Sequence, residues 1–291
     1  MGLHQKKRKR SKNSLYALAL VRLRRNKRAM VGLFIILLVI LVACLAPYIA
    51  PYGYDEQDPS AALLAPSWQH LCGTDQYGRD IFSRLIYGTP SSLQIGLISV
   101  GISAVLGVTI GAVAGFFGGK TDMIIMRFLD VFYSIPAMLM AIAIAAVLGN
   151  GMGNAMIAVG ISQIPGYARL IRGQILTIRD AEFVEAARLA DAGNLRIIFK
   201  HIVPNCLSPI IVNMTMGFAS AILMAAGLSF LGLGAQPPSP EWGAMITAGR
   251  NYIRKAWWMA TCPGLVIMIT VISFNLLGDG IRDALDPRMK R

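Results

Sequence analysis

The chain has 291 residues, 55% of them apolar and only 15% charged, with a formal net charge of +13. Soluble domains carry roughly a quarter charged residues, so this balance excludes an ordinary water-soluble globule and points to helices in a bilayer. The position of the basic residues, argued below, also excludes a nucleic-acid binder.

Five uncharged runs hold most of the apolar residues: 29–54, 85–119, 131–168, 201–240 and 256–278. A membrane span needs about 20 such residues. The third run is too long for one helix, and GNGMGN at 149–154 divides it. The expectation is an all-α integral membrane protein with six spans, near 29–50, 92–117, 129–149, 154–172, 206–233 and 259–279. Six spans put both termini on one side. That side carries 23 of the 28 Lys and Arg, the other only 5, so the termini and the 169–205 loop are expected in the cytoplasm. The net charge is then a topology signal.

In chain order, residues 1–28 are a basic cytoplasmic tail. Its KKRKRSK at 6–12 suits holding the N-terminus inside and touching anionic membrane lipid. The run at 29–50 is too long for a cleavable signal segment and starts too late. Residues 51–91 form a proline-dotted outer loop. Of the cysteines at 44, 72, 206 and 262, none shows a paired spacing. Cys72 has no evident partner, and with His70 it offers two metal ligands, short of a site. Pro90 is read as helping to start the second span. Within that span Gly107, Gly111 and Gly115 repeat every four residues, as Ala141, Ala145 and Gly149 do in the third, which lets helices approach closely in lipid.

The stretch AGFFGGKT at 114–121 meets a relaxed phosphate-loop pattern. It follows a membrane span rather than a strand, so no ATP or other cofactor is expected in this chain. Apart from Asp130, and Arg169 and Arg172 at the cytoplasmic end of the fourth span, the span interiors hold no charged residue. Ion-coupled carriers commonly place such groups there, so the energy for any transport is expected from outside the membrane.

The segment from Arg179 to Asn205 is the longest charged stretch between two apolar runs. Asp180 as N-cap and Gly193 as C-terminal stop predict a helix of about twelve residues. Phe183, Ala187 and Ala190 fall on its apolar face, with Glu182, Glu185 and Arg188 off it. Such a helix has little core of its own to join and is expected to dock onto a cytosolic partner. In the last outer loop, Pro237, Pro238 and Pro240 disfavour a regular helix. Trp242, Tyr252, Trp257 and Trp258 suit a membrane-interface belt.

Several of these segments resemble one family. Glu185-Ala186-Ala187 with Pro204-Asn205 is similar to the EAA loop of ATP-binding-cassette importer permeases. That family usually carries glycine where this chain has Asp191, and leucine where it has Val203. Gly73-Thr74-Asp75, Gly78-Arg79-Asp80 and Ser83-Arg84 resemble the signature of the dipeptide, oligopeptide and nickel branch, which usually has arginine at Pro90. SFLGLG at 229–234, with Pro237, Trp242 and Gly243, and GDGIRDALDPR at 278–288 are similar to the same branch.

The resemblance implies a type I importer permease in a prokaryotic inner (plasma) membrane: a first helix, an outer loop, then a five-helix domain over 92–283 with a coupling loop at 173–205 and a cytoplasmic end at 284–291. It implies a transport subunit rather than an enzyme. The implied partners are a second related permease, two cytosolic ATPases that bind the ATP and Mg, and an external substrate-binding protein. Asp180, Phe183, Glu185, Ala186, Ala187, Arg188, Asp191 and Gly193 are the expected ATPase-coupling residues, and the outer loops are expected to receive the binding protein. A dipeptide or oligopeptide is the expected cargo. Nickel or another small solute, an ion-coupled carrier, and a membrane-tethered scaffold are the alternatives.

Overall fold

The structure is a computed structural model describing residues 15–285; the tail motif at 6–12 and the end of the 278–288 motif lie outside the described residues. Among those residues every regular element is helical, and the only β pairing is an isolated bridge between Thr74 and Asp80.

Helices α1 (Leu15–Arg25) and α2 (Lys27–Ile49) are separated by Asn26, whose side chain caps α2 by accepting from Ala29 N. Helix α2 buries little, leaving Phe34, Leu37 and Leu41 exposed, which suits a bilayer rather than water. Helix α3 (Ile81–Phe117) has 37 residues. At 1.5 Å per residue it is about 55 Å long, well beyond the roughly 30 Å hydrocarbon core, so it joins both ends of the molecule. Its start contributes to a cap built from residues 51–80 and 234–257. Its end contributes to a foot built from residues 179–206.

Helices α4 (Gly119–Tyr133) and α5 (Ala137–Leu148) meet at an 86° bend. Helix α6 (Met152–Ile178) then packs along α3. The foot follows as α7 (Glu182–Leu189), the single turn α8 (Asn194–Arg196) and a wide turn through Ile202. Helix α9 (Leu207–Phe230), the cap helix α10 (Trp242–Gly249) and α11 (Trp258–Leu285) complete the chain.

Among the described residues α2, α3, the run Asn194–Phe230 and α11 are long and apolar enough to cross a membrane, with the bent α4–α5 pair as a fifth candidate. The expected fourth span, 154–172, lies inside α6, which is long enough but too polar to join that set.

The glycines of α3 do what their spacing predicts. A Cβ on Gly107 would lie 2.5 Å from Tyr167 Cβ, and one on Gly111 would lie 2.3 Å from the Ala168 carbonyl oxygen. Hydroxyls lock the same seam, Ser99 donating to Met156 O at 2.9 Å and Ser103 to Gly160 O at 2.8 Å. Helices α9 and α11 stack Phe218 on Phe274 with ring centres 4.1 Å apart.

Three expectations change. Helix α3 begins at Ile81, nine residues before Pro90, because Asp80 caps it by accepting from Ser83 N at 2.7 Å. The third span, expected as one helix over 129–149, is broken at Ser134–Pro136: a proline supplies no N–H and bars the helical conformation from the residue before it. The prolines at 237–240 lead into a helix, since α10 starts directly after them at Trp242.

Candidate coupling site

The foot is organised around α7, which has eight residues, not twelve. Ala181, not Asp180, is its N-cap, and Glu182 and Glu185 in the first turn complement the helix dipole. Its stop is Asp191, not Gly193. Asp191 has φ +56°, its N–H donates to Arg188 O at 3.0 Å, and Ala192 N–H donates to Ala187 O at 3.1 Å. This pair of bonds is a Schellman closure with Asp191 in the left-handed position that glycine usually fills. A short polar side chain tolerates that conformation better than most. The substitution of aspartate for the usual glycine therefore leaves the helix end where the family resemblance puts it. Gly193 lies beyond, at φ −61°, as the cap of α8.

The buried face also differs from the expected one. Val184 and Ala187 point inward, while Phe183 and Ala190 are exposed. The inner pair packs with Ile171 and Ile175 of α6, Ala112 and Phe116 of α3, and Ile197, Ile198, Ile202 and Cys206 leading into α9. The foot thus does join a core. Burying a valine side chain is worth roughly 1.5–3 kcal/mol, and an eight-residue helix would not persist without such anchoring. At 100° per residue, Glu185, Ala186 and Leu189 stand opposite the buried pair, and Leu189 is 90% exposed. Leu195 on α8 extends this apolar surface. Arg188 turns back over the Phe116 ring at 5.5 Å.

Two ion pairs tie α4 to α6 near the foot. Arg172 reaches both oxygens of Asp122, at 3.0 and 2.5 Å, and Arg169 donates to Asp130 at 2.7 Å while lying 3.7 Å over the Tyr133 ring. Sequence reasoning missed both partners of Asp122 and Asp130, because they lie 39 to 50 residues apart. The stretch 114–121 forms the end of α3 and the turn into α4, with Gly118 at φ +63°.

The cap gathers the other set of motif residues. Asp75 accepts from Arg79 Nε at 2.7 Å and from the backbone of Tyr77 at 2.8 Å. Thr74 donates to Ala61 O and accepts from Leu64 N, while Asp80 holds His70 Nδ1 at 2.9 Å. Arg84 donates to Tyr54 O at 2.6 Å.

Gly73 and Gly78 adopt φ +71° and +73°, and a Cβ on Gly78 would lie 1.7 Å from Asp58 O. Gly243 sits against Ala226, with 2.6 Å from a built Cβ to Ala226 Cα. Pro237 and Pro238 bring the second loop alongside, where Arg84 Nη2 contacts Pro238 O at 3.4 Å. Glu241 is buried and accepts from Ser229 Oγ, Gly243 N and Ala244 N at 2.8–2.9 Å. Burial pushes its carboxyl above the ordinary range, against the pull of those three bonds.

Two of the four aromatic residues assigned to an interface belt are core instead. Trp242 is fully buried and donates to Leu85 O at 3.1 Å, and Trp258 is buried and donates to Thr74 O at 3.1 Å. Cys72 has a neighbour after all: Cys262 lines the same apolar cavity, and that thiol together with burial raises the Cys72 pKa.

Residues 107–291 match the model of the binding-protein-dependent transport system inner membrane component, and residues 14–66 match the N-terminal transmembrane domain of oligopeptide transport permease C. The chain belongs to this permease family. It is 48% identical over 271 residues to the di/tripeptide transport system permease protein DppC of Pseudomonas aeruginosa (strain UCBPP-PA14), covering 91% of this chain and 89% of that one. It is 46% identical over 274 residues to the dipeptide transport system permease protein DppC of Escherichia coli (strain K12), covering 92% and 91%. Inward-facing structures of the MetNI methionine ABC transporter share the fold, one with TM-score 0.57 at 19% identity, covering 70% of this chain and 96% of that one. The chain is thus a multi-pass inner-membrane permease subunit of the ATP-binding-cassette importer class, with the all-α type I architecture.

Proposed function

We propose that this permease passes dipeptides or short oligopeptides inward, driven by two separate cytosolic ATPases that grip α7. The arrangement of α7 carries the reading. One side of it is anchored among side chains from α3, α6 and the approach to α9, and the other side offers Glu185, Ala186 and Leu189 with no partner in the described chain. A push on that exposed side reaches three long helices at once, and the Asp122–Arg172 and Asp130–Arg169 pairs extend it to α4. The break at Ser134–Pro136 gives the moving helices a place to bend.

The cargo class follows the names of the relatives. The basic-residue count supports six spans with both termini and the foot in the cytoplasm, α6 serving as the fourth, and it leaves no role for nucleic acid. We keep the division into a basic tail at 1–28, a first helix at 29–50, an outer loop at 51–91 and a five-helix domain at 92–283 with its coupling loop at 173–205. A second, homologous permease completes the passage. An external binding protein meets the cap. Of the cap's motif residues Gly73, Thr74, Asp75, Gly78, Arg79, Asp80, Trp242 and Gly243 are buried and Pro237 is exposed, so the surface it meets is made by Pro237 and by others, Trp68 at 97% exposed and Tyr77 among them. The ATP and Mg belong to the ATPases, and membrane lipid surrounds the spans.

The test uses the complex purified from membranes through a tag on this chain. Glu185→Arg and Leu189→Asp should leave insertion intact, strip the ATPases from the complex and abolish uptake. ATPases retained at wild-type levels with full uptake in both variants would end the proposal.

A further inference from the structure

Two cavities on the foot side of the bundle lie side by side, with Leu170, Asn213 and Met216 in the walls of both. The first, about 680 Å³, begins at the α4–α5 break beside Pro136 and reaches Ser220. The second, about 630 Å³, runs on to Asn205 and Arg282. Two helices supply their long walls. Gln163, Leu170 and Gln174 follow one another at i, i+7 and i+11, a single stripe of α6. Asn205, Asn213 and Ser220, at i, i+8 and i+15, form a single stripe along α9 and the turn before it.

The chemistry of these walls is unusual for a membrane bundle. Four side-chain amides line one path, and among the described residues Arg282 at its foot end is the only charged one in its lining. Asn205 donates to its own helix at His201 O, 2.6 Å away. The Gln163 amide reaches only the Met224 sulfur, at 3.9 Å. Among the described residues the Gln174 and Asn213 amides have no hydrogen-bond partner.

A poorly paired amide facing hydrocarbon is costly, so the walls at Gln163 and Asn213, inside the expected spans, belong to a space that holds water or a polar guest, and Gln174, beyond the span, continues it toward the foot. Pro165, in the same wall, supplies no N–H for the Ile161 carbonyl, and the irregular backbone at 134–136 opens onto the same space. Broken helices at membrane depth are found where they line a cavity of this kind.

An amide side chain both donates and accepts. A peptide backbone also presents one donor and one acceptor at nearly every residue, whatever its side chains. Uncharged partners hold it weakly and at successive sites, which passage requires. We propose that this space is the wall of the peptide passage contributed by this chain, and that Gln163, Asn213 and Gln174 hand the backbone of the cargo along it. The proposal rests on the peptide-import reading above and adds the residues that touch the cargo.

The test is uptake of radiolabelled dialanine by the whole complex in vesicles, with binding protein outside and ATP inside. The double variant Gln163→Leu with Asn213→Leu should lower uptake about tenfold or more, the scale of a lost hydrogen-bonded step. ATPase activity stimulated by the binding protein should stay near wild type. Asn213→Gln, which keeps the amide, should retain uptake. Uptake unchanged in the double variant overturns the passage alone. So does a parallel fall of uptake and ATPase activity, which makes these residues structural, or an equal loss in Asn213→Gln and Asn213→Leu. A wild-type complex that takes up neither dialanine nor trialanine overturns the peptide reading, and the passage falls with it.

Discussion

The foot and the cap solve opposite problems with opposite chemistry. The foot keeps its interior almost wholly aliphatic and leaves Leu189 and Leu195 facing out. The cap buries its polar groups, Asp75, Arg79, Asp80, Arg84 and Glu241, and satisfies them with backbone and with one another. Aliphatic packing without directional bonds transmits displacement yet leaves the outer surface free to be gripped. Buried hydrogen-bonded networks fix a unique shape, since leaving any member unpaired is expensive. On the proposed reading, the foot moves with an ATPase while the cap holds its form.

The sharpest break in this comparison comes from the cap's glycines. Gly78→Ala places a Cβ 1.7 Å from Asp58 O at φ +73°, which should cost about 3 kcal/mol or more. Proteolysis of the 51–80 segment in detergent-solubilised complex should accelerate, while the ATPases still co-purify. Loss of the ATPases in this variant would show that the two ends are not independent. The corresponding change at the foot is Leu189→Asp. Because the side chain is exposed, stability should shift by less than about 0.5 kcal/mol, while the ATPases are lost. A lowered melting temperature in that variant would mean that Leu189 is a core residue in the membrane.

Smaller effects sharpen the contrast. Trp242→Phe removes one donor to Leu85 O, which keeps its bond from Thr89 Oγ1, and leaves part of the buried indole's space unfilled, at a cost of about 1–2 kcal/mol. Asp191→Gly relieves the left-handed strain at the end of α7 and should stabilise the foot by up to about 1 kcal/mol. Slower hydrogen exchange over 182–192 would show it; faster exchange would mean that the aspartate side chain contributes something its conformation does not reveal.

How much of this was legible depended on range. The apolar runs, the glycine stripe of α3 and the existence of α7 follow from local pattern, and the four-residue spacing of Gly107, Gly111 and Gly115 fixed which face of α3 meets α6. Asp191 misled because a stop signal was sought in a glycine, whereas the position asks only for a tolerable left-handed residue. Val184 was missed because α7 is apolar on two sides, so periodicity alone does not say which side is buried. Trp242 and Trp258 look like belt residues until the fold brings Leu85 and Thr74 to their indole N–H groups from more than 150 positions away. The break at Ser134–Pro136 had its signal in plain view, a proline at the centre of an expected span. The 149–154 glycines drew the division of that run instead.

The smallest expected effect is a slope rather than a step, and it belongs to Glu241. Burial makes its carboxyl hold a proton more tightly in the folded cap than in the unfolded chain, where it titrates near the ordinary 4.5. Below that value both forms are protonated and burial carries no charge penalty. As pH rises past it, the unfolded chain releases the proton first, so fewer protons are bound unfolded than folded, and stability falls until the folded carboxyl ionises in turn. The hydrogen bonds from Ser229, Gly243 and Ala244 favour the ionised form and narrow that window. Glu241→Gln has no proton to release. It should remove the slope while lowering stability across the whole range, because its amide NH₂ must face a donor that the carboxylate accepted. Thermal midpoints of the solubilised complex followed upward from about pH 4.5 separate the two effects. A slope of equal size in wild type and variant would place the titrating group elsewhere in the protein.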